Sequence, residues 1–126
     1  MLNPGLFRTE QIDDTLVVIA LGSGSQIAEQ RAQEESEAVL RQLQNPGVKN
    51  LLIDLESAGS LTTEMLGLMQ RFRREVHALN GKMGLCNVPP AGREVLRFVQ
   101  LDTLWPIHSS RDRALRDMKN PEGRSD

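Results

Sequence analysis

The stretch from Leu51 to Met69 constrains the fold more than any other part of the chain. It opens with the apolar run Leu51–Ile53, which is typical of a strand buried on both faces, and Asp54 ends that run. After a loop of small and polar residues, apolar side chains recur at spacings of three and four: Leu61, Met65, Leu68, Phe72, Val76 and Leu79. This spacing places them on one face of a helix. The stretch therefore predicts a strand, a short loop and a helix that ends near Asn80–Gly81.

Two hydroxyl side chains, those of Thr62 and Thr63, stand where this helix is predicted to begin. The first turn of a helix has unpaired backbone N–H groups and a partial positive charge. Both features favour a phosphate there, whether it is bound or covalently attached. Either threonine can instead serve as the helix N-cap, a role worth about 1 kcal/mol. The residue pattern leaves both roles open.

The rest of the chain alternates strands and helices after an initial hairpin. Strands are predicted at residues 6–12, 15–21, 82–88 and 104–107. Helices are predicted at residues 27–44, 91–100 and 109–118. Asp13–Asp14 fits the hairpin turn, and Ser109 with Asp112 fits a capping box at the start of the last helix. This order predicts an α/β fold in which about five strands, a hairpin and then parallel strands, form a mixed sheet with about four helices.

The length of the chain, 126 residues, is that of one domain with one core. We expect the domain to span residues 6–118, with an N-terminal extension at 1–5 and a disordered tail at 119–126. Gly22–Ser25 is interpreted as a flexible connector, because its glycine spacing matches neither a Walker nor a Rossmann loop. In parallel sheets, sites lie beyond the carboxyl ends of the strands, which here points to residues 56–63.

Charge and hydropathy argue against several classes of protein. A net charge of -2 gives no basic footprint for a nucleic acid, so we expect no nucleic-acid partner. No apolar run reaches the roughly 20 residues that span a bilayer, so we expect no membrane insertion. The N-terminal residues lack the pattern of a signal peptide, and the expected location is cytoplasmic.

The chemistry-bearing side chains do not form a catalytic pattern. Cys86 is the only cysteine, which excludes an internal disulfide and a cysteine-built metal site. His77 and His108 have no spacing that would link either of them to a nucleophile or to other metal ligands. We therefore expect no enzyme activity, no cofactor and no metal.

Two groups of side chains have two interpretations each. The acidic cluster Glu34, Glu35 and Glu37 is interpreted first as a solvated helix face. The alternative interpretation is a surface that binds a partner protein. Met65 and Met69 fit either the core or an adaptable docking surface, because methionine side chains are flexible.

Several short motifs occur in the order and spacing of a known family. Asp54-Leu55 ends the central strand, and Leu66-Gly67 lies near the start of the following helix. Further motifs follow in the C-terminal half: Glu94-Val95-Leu96, Leu101-Asp102-Thr103-Leu104, Trp105-Pro106-Ile107 and Ala114-Leu115. Over residues 15–115 the chain resembles the STAS domains, whose best-known members are bacterial anti-sigma factor antagonists.

The resemblance implies a regulatory domain that binds a protein partner. In such antagonists, the partner is an anti-sigma factor with serine/threonine kinase activity, which phosphorylates a serine or threonine at the start of this helix. Thr63 takes the position of the phosphorylated residue, and Thr62 and Ser60 are the other candidates. The implied partner-binding residues are Asp54, Glu56, Ser57, Ser60, Thr62, Thr63, Glu64 and Gly67.

Three positions depart from the family pattern. Thr62 replaces the usual aspartate before the phosphorylated residue, Met65 replaces a common glycine, and residues 22–25 lack the Gly-x-x-Asp that follows the second strand. The missing acidic residue favours an alternative function, a constitutive STAS interaction module in a membrane transport or signalling complex without phosphorylation. A third hypothesis, from another class, is a small phosphate- or nucleotide-binding enzyme that uses the helix N-terminus.

Overall fold

The computed structural model describes residues 6–21, 29–59 and 61–119. The strands are β1 (Phe7–Ile12), β2 (Thr15–Ala20), β3 (Asn50–Asp54), β4 (Met83–Cys86) and β5 (Ile107–His108). The helices are α1 (Glu29–Leu43), α2 (Thr63–Ala78), α3 (Pro90–Phe98) and α4 (Arg111–Lys119). The strands form one five-stranded sheet with four helices around it, which confirms the predicted fold class.

Some expectations concern parts of the chain that lie outside the described residues. They are the N-terminal extension at 1–5, the connector at 22–25, the candidate site residue Ser60 and the disordered tail from residue 120 onward. Lys119, the first residue of that expected tail, is instead the last residue of α4.

The five strands lie side by side in the order in which they occur along the chain. β1 pairs with β2 in antiparallel fashion, whereas β2, β3, β4 and β5 pair in parallel. Asp13 makes the hairpin turn with a φ of 55°, in the left-handed region that aspartate tolerates better than most residues. The predicted hairpin followed by parallel strands is confirmed.

Helices cover both faces of the sheet, so strands β2, β3 and β4 are buried along their whole length. The larger core contains side chains from α1, α2 and α3 and includes Phe72, whose ring meets that of Phe7 edge-to-face at 5.6 Å. The smaller core lies beneath α4 on the other face. Ile53 contributes to the larger core and Leu52 to the smaller one, because successive side chains of a strand point to opposite faces. This explains why β3 is apolar at consecutive positions.

Helix α2 buries the face that its spacing predicted, with two differences. Met69 rather than Leu68 lies at the centre of that face, and Leu79 is exposed. Met65 and Met69 are both fully buried, so they belong to the core and form no docking surface. Leu68 is only partly buried at its edge.

The C-terminal end of α2 is closed by Asn80 and Gly81, as predicted. The Gly81 N–H donates to the Val76 carbonyl at 2.9 Å, and the Asn80 N–H donates to the His77 carbonyl at 3.0 Å. With Asn80 at a φ of 64°, this is the hydrogen-bond pattern of a Schellman cap. A Cβ on Gly81 would lie 1.8 Å from the Lys49 carbonyl oxygen, so only glycine fits where the helix end meets the start of β3.

Two predicted boundaries near the C-terminus were wrong. The last strand begins at Ile107 and not at Leu104, because residues 102–104 form a turn after the end of α3. The cap of α4 is Ser110 and not Ser109: its Oγ accepts a hydrogen bond from the Arg113 N–H at 3.1 Å. The helix starts later than expected because pairing with β4 continues through His108.

The expectation of a solvated face was wrong for Glu35. Its Oε1 accepts hydrogen bonds from the backbone N–H groups of Leu6 at 2.7 Å and Phe7 at 3.1 Å. Its Oε2 forms an ion pair with Arg31 at 3.2 Å. Glu35 therefore fixes the start of β1 to α1. These amide partners lie 28 and 29 residues away, beyond the reach of a local pattern.

Candidate functional site

The loop between β3 and α2 lies at the carboxyl edge of the parallel strands, where its sequence placed the candidate site. Three of its apolar side chains, those of Leu55, Ala58 and Leu61, are buried and anchor it to the core. Glu56 and Ser57 are exposed between these anchors. The loop therefore presents polar side chains on a backbone that packing holds in place.

Asp54 is the hub of this site. It is 4% exposed, and its Oδ1 accepts hydrogen bonds from the Glu56 N–H at 3.0 Å and from Asn87 Nδ2 at 3.2 Å. Its Oδ2 lies 3.2 Å from a guanidinium nitrogen of Arg111, which also pairs with Glu10 at 3.3 Å. One buried carboxylate thus joins the loop to the end of β4, to α4 and, through Arg111, to β1. Its surroundings leave it little access to a partner protein.

The residues that hold Asp54 were missed by reasoning from the sequence. A carboxylate at the end of a buried strand needs partners, and this signal was present in the pattern. The identity of the partners was not, since Asn87 lies 33 and Arg111 lies 57 residues further along the chain.

The two threonines at the start of α2 have different surroundings. Thr62 is the N-cap: its side-chain oxygen accepts a hydrogen bond from the Met65 N–H at 3.1 Å, and the residue is half-buried. Thr63 is the first residue of the helix and is exposed. The cap role is therefore filled by Thr62, and the side chain of Thr63 faces solvent at the positive end of the helix dipole.

Gly67 lies one turn beyond Thr63 on the same side of α2. It is exposed, and a Cβ added to it would meet no atom within 4 Å. Packing inside the chain therefore does not require glycine at this position. A glycine inside a helix costs roughly 0.5–1 kcal/mol relative to alanine, and here it leaves the helix backbone open to approach.

The structure brings most of the predicted site residues to one surface. Glu56, Ser57, Thr63, Glu64 and Gly67 are all exposed around the start of α2. We call this group the loop–helix surface. Asp54 lies beneath it as a buried support, Thr62 is held as the cap, and Ser60 lies outside the described residues.

Cys86 lies at the end of β4, in the smaller core, and is fully buried. Burial, followed by the negative charge of Asp54, raises the pKa of Cys86 to about 12. A thiol in this state is not a nucleophile at neutral pH. His108 forms a contact of 3.2 Å with Asp117 on α4, so its imidazole is a structural partner of that helix.

The described parts of the chain contain neither a metal site nor a membrane-spanning helix. No group of three or more histidine, cysteine, aspartate or glutamate residues there could hold a metal ion. Within the same ranges, no helix combines the length and the apolar composition needed to cross a bilayer.

Solved structures similar to this chain include several described as anti-sigma factor antagonists. A proposed antagonist from Thermotoga maritima has a TM-score of 0.78 and 17% identity, with 90% of this chain and 95% of that one covered. A STAS domain protein from Planctomyces limnophilus has a TM-score of 0.77 and 24% identity, with coverage of 90% and 98%. Bacillus SpoIIAA in its phosphorylated form has a TM-score of 0.62 and 22% identity, with coverage of 87% and 97%.

These identities are low, so the likeness to solved structures establishes the fold alone. No match was found among curated proteins. The family model described as the STAS domain matches residues 7–114.

Proposed function

The chain belongs to the STAS domain family, and we propose that it acts as an anti-sigma factor antagonist controlled by phosphorylation of Thr63. Its partner in this proposal is an anti-sigma factor with serine/threonine kinase activity, which binds the loop–helix surface of the unphosphorylated chain. The observation that carries the proposal is the division of roles at the start of α2. Thr62 is engaged as the N-cap, whereas Thr63 is exposed beside the bare backbone of Gly67.

A phosphate on Thr63 is compatible with the fold. It would add about -1.5 to -2 charges at the first residue of α2, where the helix dipole and unpaired N–H groups favour negative charge. Thr63 is exposed, so the phosphate displaces no packed side chain. The modification therefore changes the surface that a partner meets and leaves the core intact.

The same phosphate would strongly oppose a close-packed complex. Glu56 and Glu64 already place two carboxylates on the loop–helix surface, and the phosphate would roughly double that negative charge. A partner that covers this surface with apolar or acidic groups would have to desolvate the phosphate without compensation. A loss of about 3 kcal/mol weakens binding more than a hundredfold, which is sufficient for a switch.

Gly67 supports a close approach of the partner. A partner helix or loop can lie directly against α2 where no side chain projects, as glycine permits. We therefore expect Gly67→Ala to stabilise the isolated chain by about 0.5–1 kcal/mol, the difference in helix propensity, while it weakens binding of the partner. An alanine at position 67 that leaves binding unchanged would contradict the role given to this surface.

Mass spectrometry of the chain purified from its native host tests the switch. We expect a phosphate on Thr63 that a phosphatase removes, and that is absent from Thr63→Ala. Thr62→Ala is the matched control: it should lose about 1 kcal/mol of stability with the cap, yet still be phosphorylated at Thr63. A phosphate on a loop residue in place of Thr63 would overturn the assignment to Thr63.

A second function is favoured by the residue at position 62. Thr62 stands where antagonists of this family usually have an aspartate, and it serves as a helix cap. This favours a constitutive interaction module that binds through the same surface without phosphorylation. An unmodified chain during both growth and stress that still captures its partner would support this function and exclude the switch.

A further inference from the structure

The outer edge of β1 is the longest unpaired strand edge in the described part of the chain. The sheet runs from β1 to β5, so no described strand pairs with the outer edge of either of these two strands. β5 has 2 residues, whereas β1 has 6. An edge of this length presents a row of backbone N–H and C=O groups with which another strand can pair.

The pairing of β1 with β2 determines which backbone groups of β1 face outward. The Leu6 carbonyl accepts a hydrogen bond from the Leu21 N–H at 2.9 Å, so these two residues form a hydrogen-bonded pair. Such pairs alternate along an antiparallel ladder, and the backbone groups of Phe7, Thr9 and Gln11 therefore point away from β2. Among the described residues, the Phe7 N–H is engaged by a carboxylate of α1, and the N–H groups of Thr9 and Gln11 are available.

Two charged side chains of opposite sign, those of Arg8 and Glu10, flank Thr9 on the same face of the sheet. Both residues are exposed. Glu10 lies 3.3 Å from Arg111 of α4 with its side chain still 50% exposed, whereas Arg8 makes no ion pair with the described part of the chain. Charges of one sign along an edge oppose its pairing with a second copy. A basic and an acidic residue two positions apart can instead complement a second copy.

In an antiparallel pair of two β1 strands, one register sets these opposite charges against each other. A symmetric register centred on Arg8 sets two arginines opposite each other, and one centred on Glu10 sets two glutamates opposite each other. The register centred on Thr9 sets each Arg8 opposite the Glu10 of the other copy, with their Cβ atoms about 5 Å apart. Thr9 also lies near the middle of β1, so most of the strand is paired in this register.

We propose that the outer edge of β1 is a self-association surface, through which two copies of the chain pair in antiparallel fashion about a twofold axis at Thr9. At the axis the two Thr9 residues exchange backbone hydrogen bonds, and each Gln11 N–H donates to the Phe7 carbonyl of the other copy. The Arg8–Glu10 ion pairs flank the axis and select this register over its neighbours. The two sheets are thereby joined into one. No residue of this edge belongs to the loop–helix surface.

Analytical ultracentrifugation of the full chain tests the proposal. We expect a monomer–dimer equilibrium within the range of about 1–500 µM. The dimer should weaken as NaCl is raised from about 50 mM to about 500 mM, because salt screens exposed ion pairs. An association that depends on apolar contacts alone would not weaken in this way.

Charge reversal makes the test specific to the register centred on Thr9. Arg8→Glu sets glutamates opposite each other on both sides of the axis, and Glu10→Arg does the same with arginines. Each single variant should raise the dimer dissociation constant by about tenfold or more. An equimolar mixture of the two variants should form a heterodimer, because opposite charges then face each other again. The variant that carries both substitutions should recover dimerisation for the same reason.

A second pair of variants tests the backbone hydrogen bonds at the axis. Thr9→Pro removes the outward N–H but leaves the pairing with β2 in place. Thr9→Val is the matched control, because both variants lose the hydroxyl that lies 2.8 Å from Gln42 Oε1, but valine keeps the N–H. The proline variant should be monomeric and the valine variant should dimerise. Circular dichroism checks that each variant is folded. Thr63→Ala should not affect dimerisation, so this proposal and the proposed function can fail separately.

Four results would overturn the proposal. The first is a chain that stays monomeric up to about 500 µM at low salt. The second is a dimer that neither single charge reversal weakens, since its interface would then lie elsewhere. The third is a mixture of the two folded reversal variants that stays monomeric. The fourth is a folded Thr9→Pro variant that dimerises as well as Thr9→Val.

Discussion

Asp54 and Arg111 connect the loop–helix surface to the opposite face of the sheet, and we predict that they contribute to stability as a coupled pair. The perturbation is a set of three variants: Asp54→Asn, Arg111→Met and the two together. Asparagine keeps an oxygen for the Glu56 N–H and for Asn87, but it removes the charge that Arg111 contacts. The amide group of asparagine would also point a donor at the guanidinium group.

The expected magnitude follows from the exposure of the two side chains. The Asp54 side chain is 5% exposed and that of Arg111 is 31% exposed. The pair is thus intermediate between a surface ion pair, worth about 0–1 kcal/mol, and a buried one, whose disruption costs about 3–5 kcal/mol. We expect a loss of about 2–3 kcal/mol for Asp54→Asn and about 1–2 kcal/mol for Arg111→Met. The double variant should lose little more than Asp54→Asn alone, a coupling of about 1 kcal/mol.

Denaturant unfolding followed by Trp105 fluorescence measures these free energies, since Trp105 is buried and is the only tryptophan. Arg113→Met, at an exposed position of the same helix, is the control and should change stability by less than about 0.5 kcal/mol. Independent sites add within about 0.3–0.5 kcal/mol. If the loss in the double variant equals the sum of the two single losses within that range, Arg111 does not support Asp54 and this account of the site is refuted.

Two further predictions concern Gly81, at the end of α2, and Cys86, at the end of β4. Gly81→Ala should destabilise the chain by about 1–3 kcal/mol, because the Cβ of the alanine would collide with the Lys49 carbonyl. A denaturation midpoint equal to that of the unaltered chain would contradict this packing. Burial raises the pKa of the native Cys86 thiol to about 12. Between about pH 9 and about pH 12, therefore, only the unfolded state releases this proton, and the free energy of unfolding should fall as the pH rises through this range. Cys86→Ala should show a shallower fall in its urea midpoint between about pH 8 and about pH 10, and an equally steep fall would count against the raised pKa.

The sequence predicted the elements whose signals are local. The apolar run of β3, the three-and-four spacing of α2 and the Asn80–Gly81 cap each follow from a few neighbouring residues, and each is present in the structure. The loop with its exposed Thr63 could likewise be placed from the chain alone. These features together were sufficient to indicate the fold.

The predictions that failed depend on contacts between distant residues. Ser109 and Ser110 are equally good caps by type, and the choice between them is made by the pairing of β5 with β4. Glu35 was expected to face solvent because the local pattern of α1 does not show its distant backbone partners, the N–H groups of Leu6 and Phe7. The support of Asp54 by Arg111 was missed for the same reason. Side-chain networks of this kind depend on which distant segments of the chain pack together. The periodic pattern of apolar residues within one segment contains no information about that packing.

The order of the strands has a consequence for how the chain is made. Each strand pairs only with strands next to it in the sequence, so the sheet can grow one strand at a time as the polypeptide leaves the ribosome. Arg111, however, lies in α4. Asp54 and the loop that precedes α2 are synthesised well before α4, so the Asp54 carboxylate acquires its arginine only when α4 docks. The loop–helix surface is thus completed only after α4 has emerged, and a nascent chain that has not yet reached α4 cannot present it in finished form.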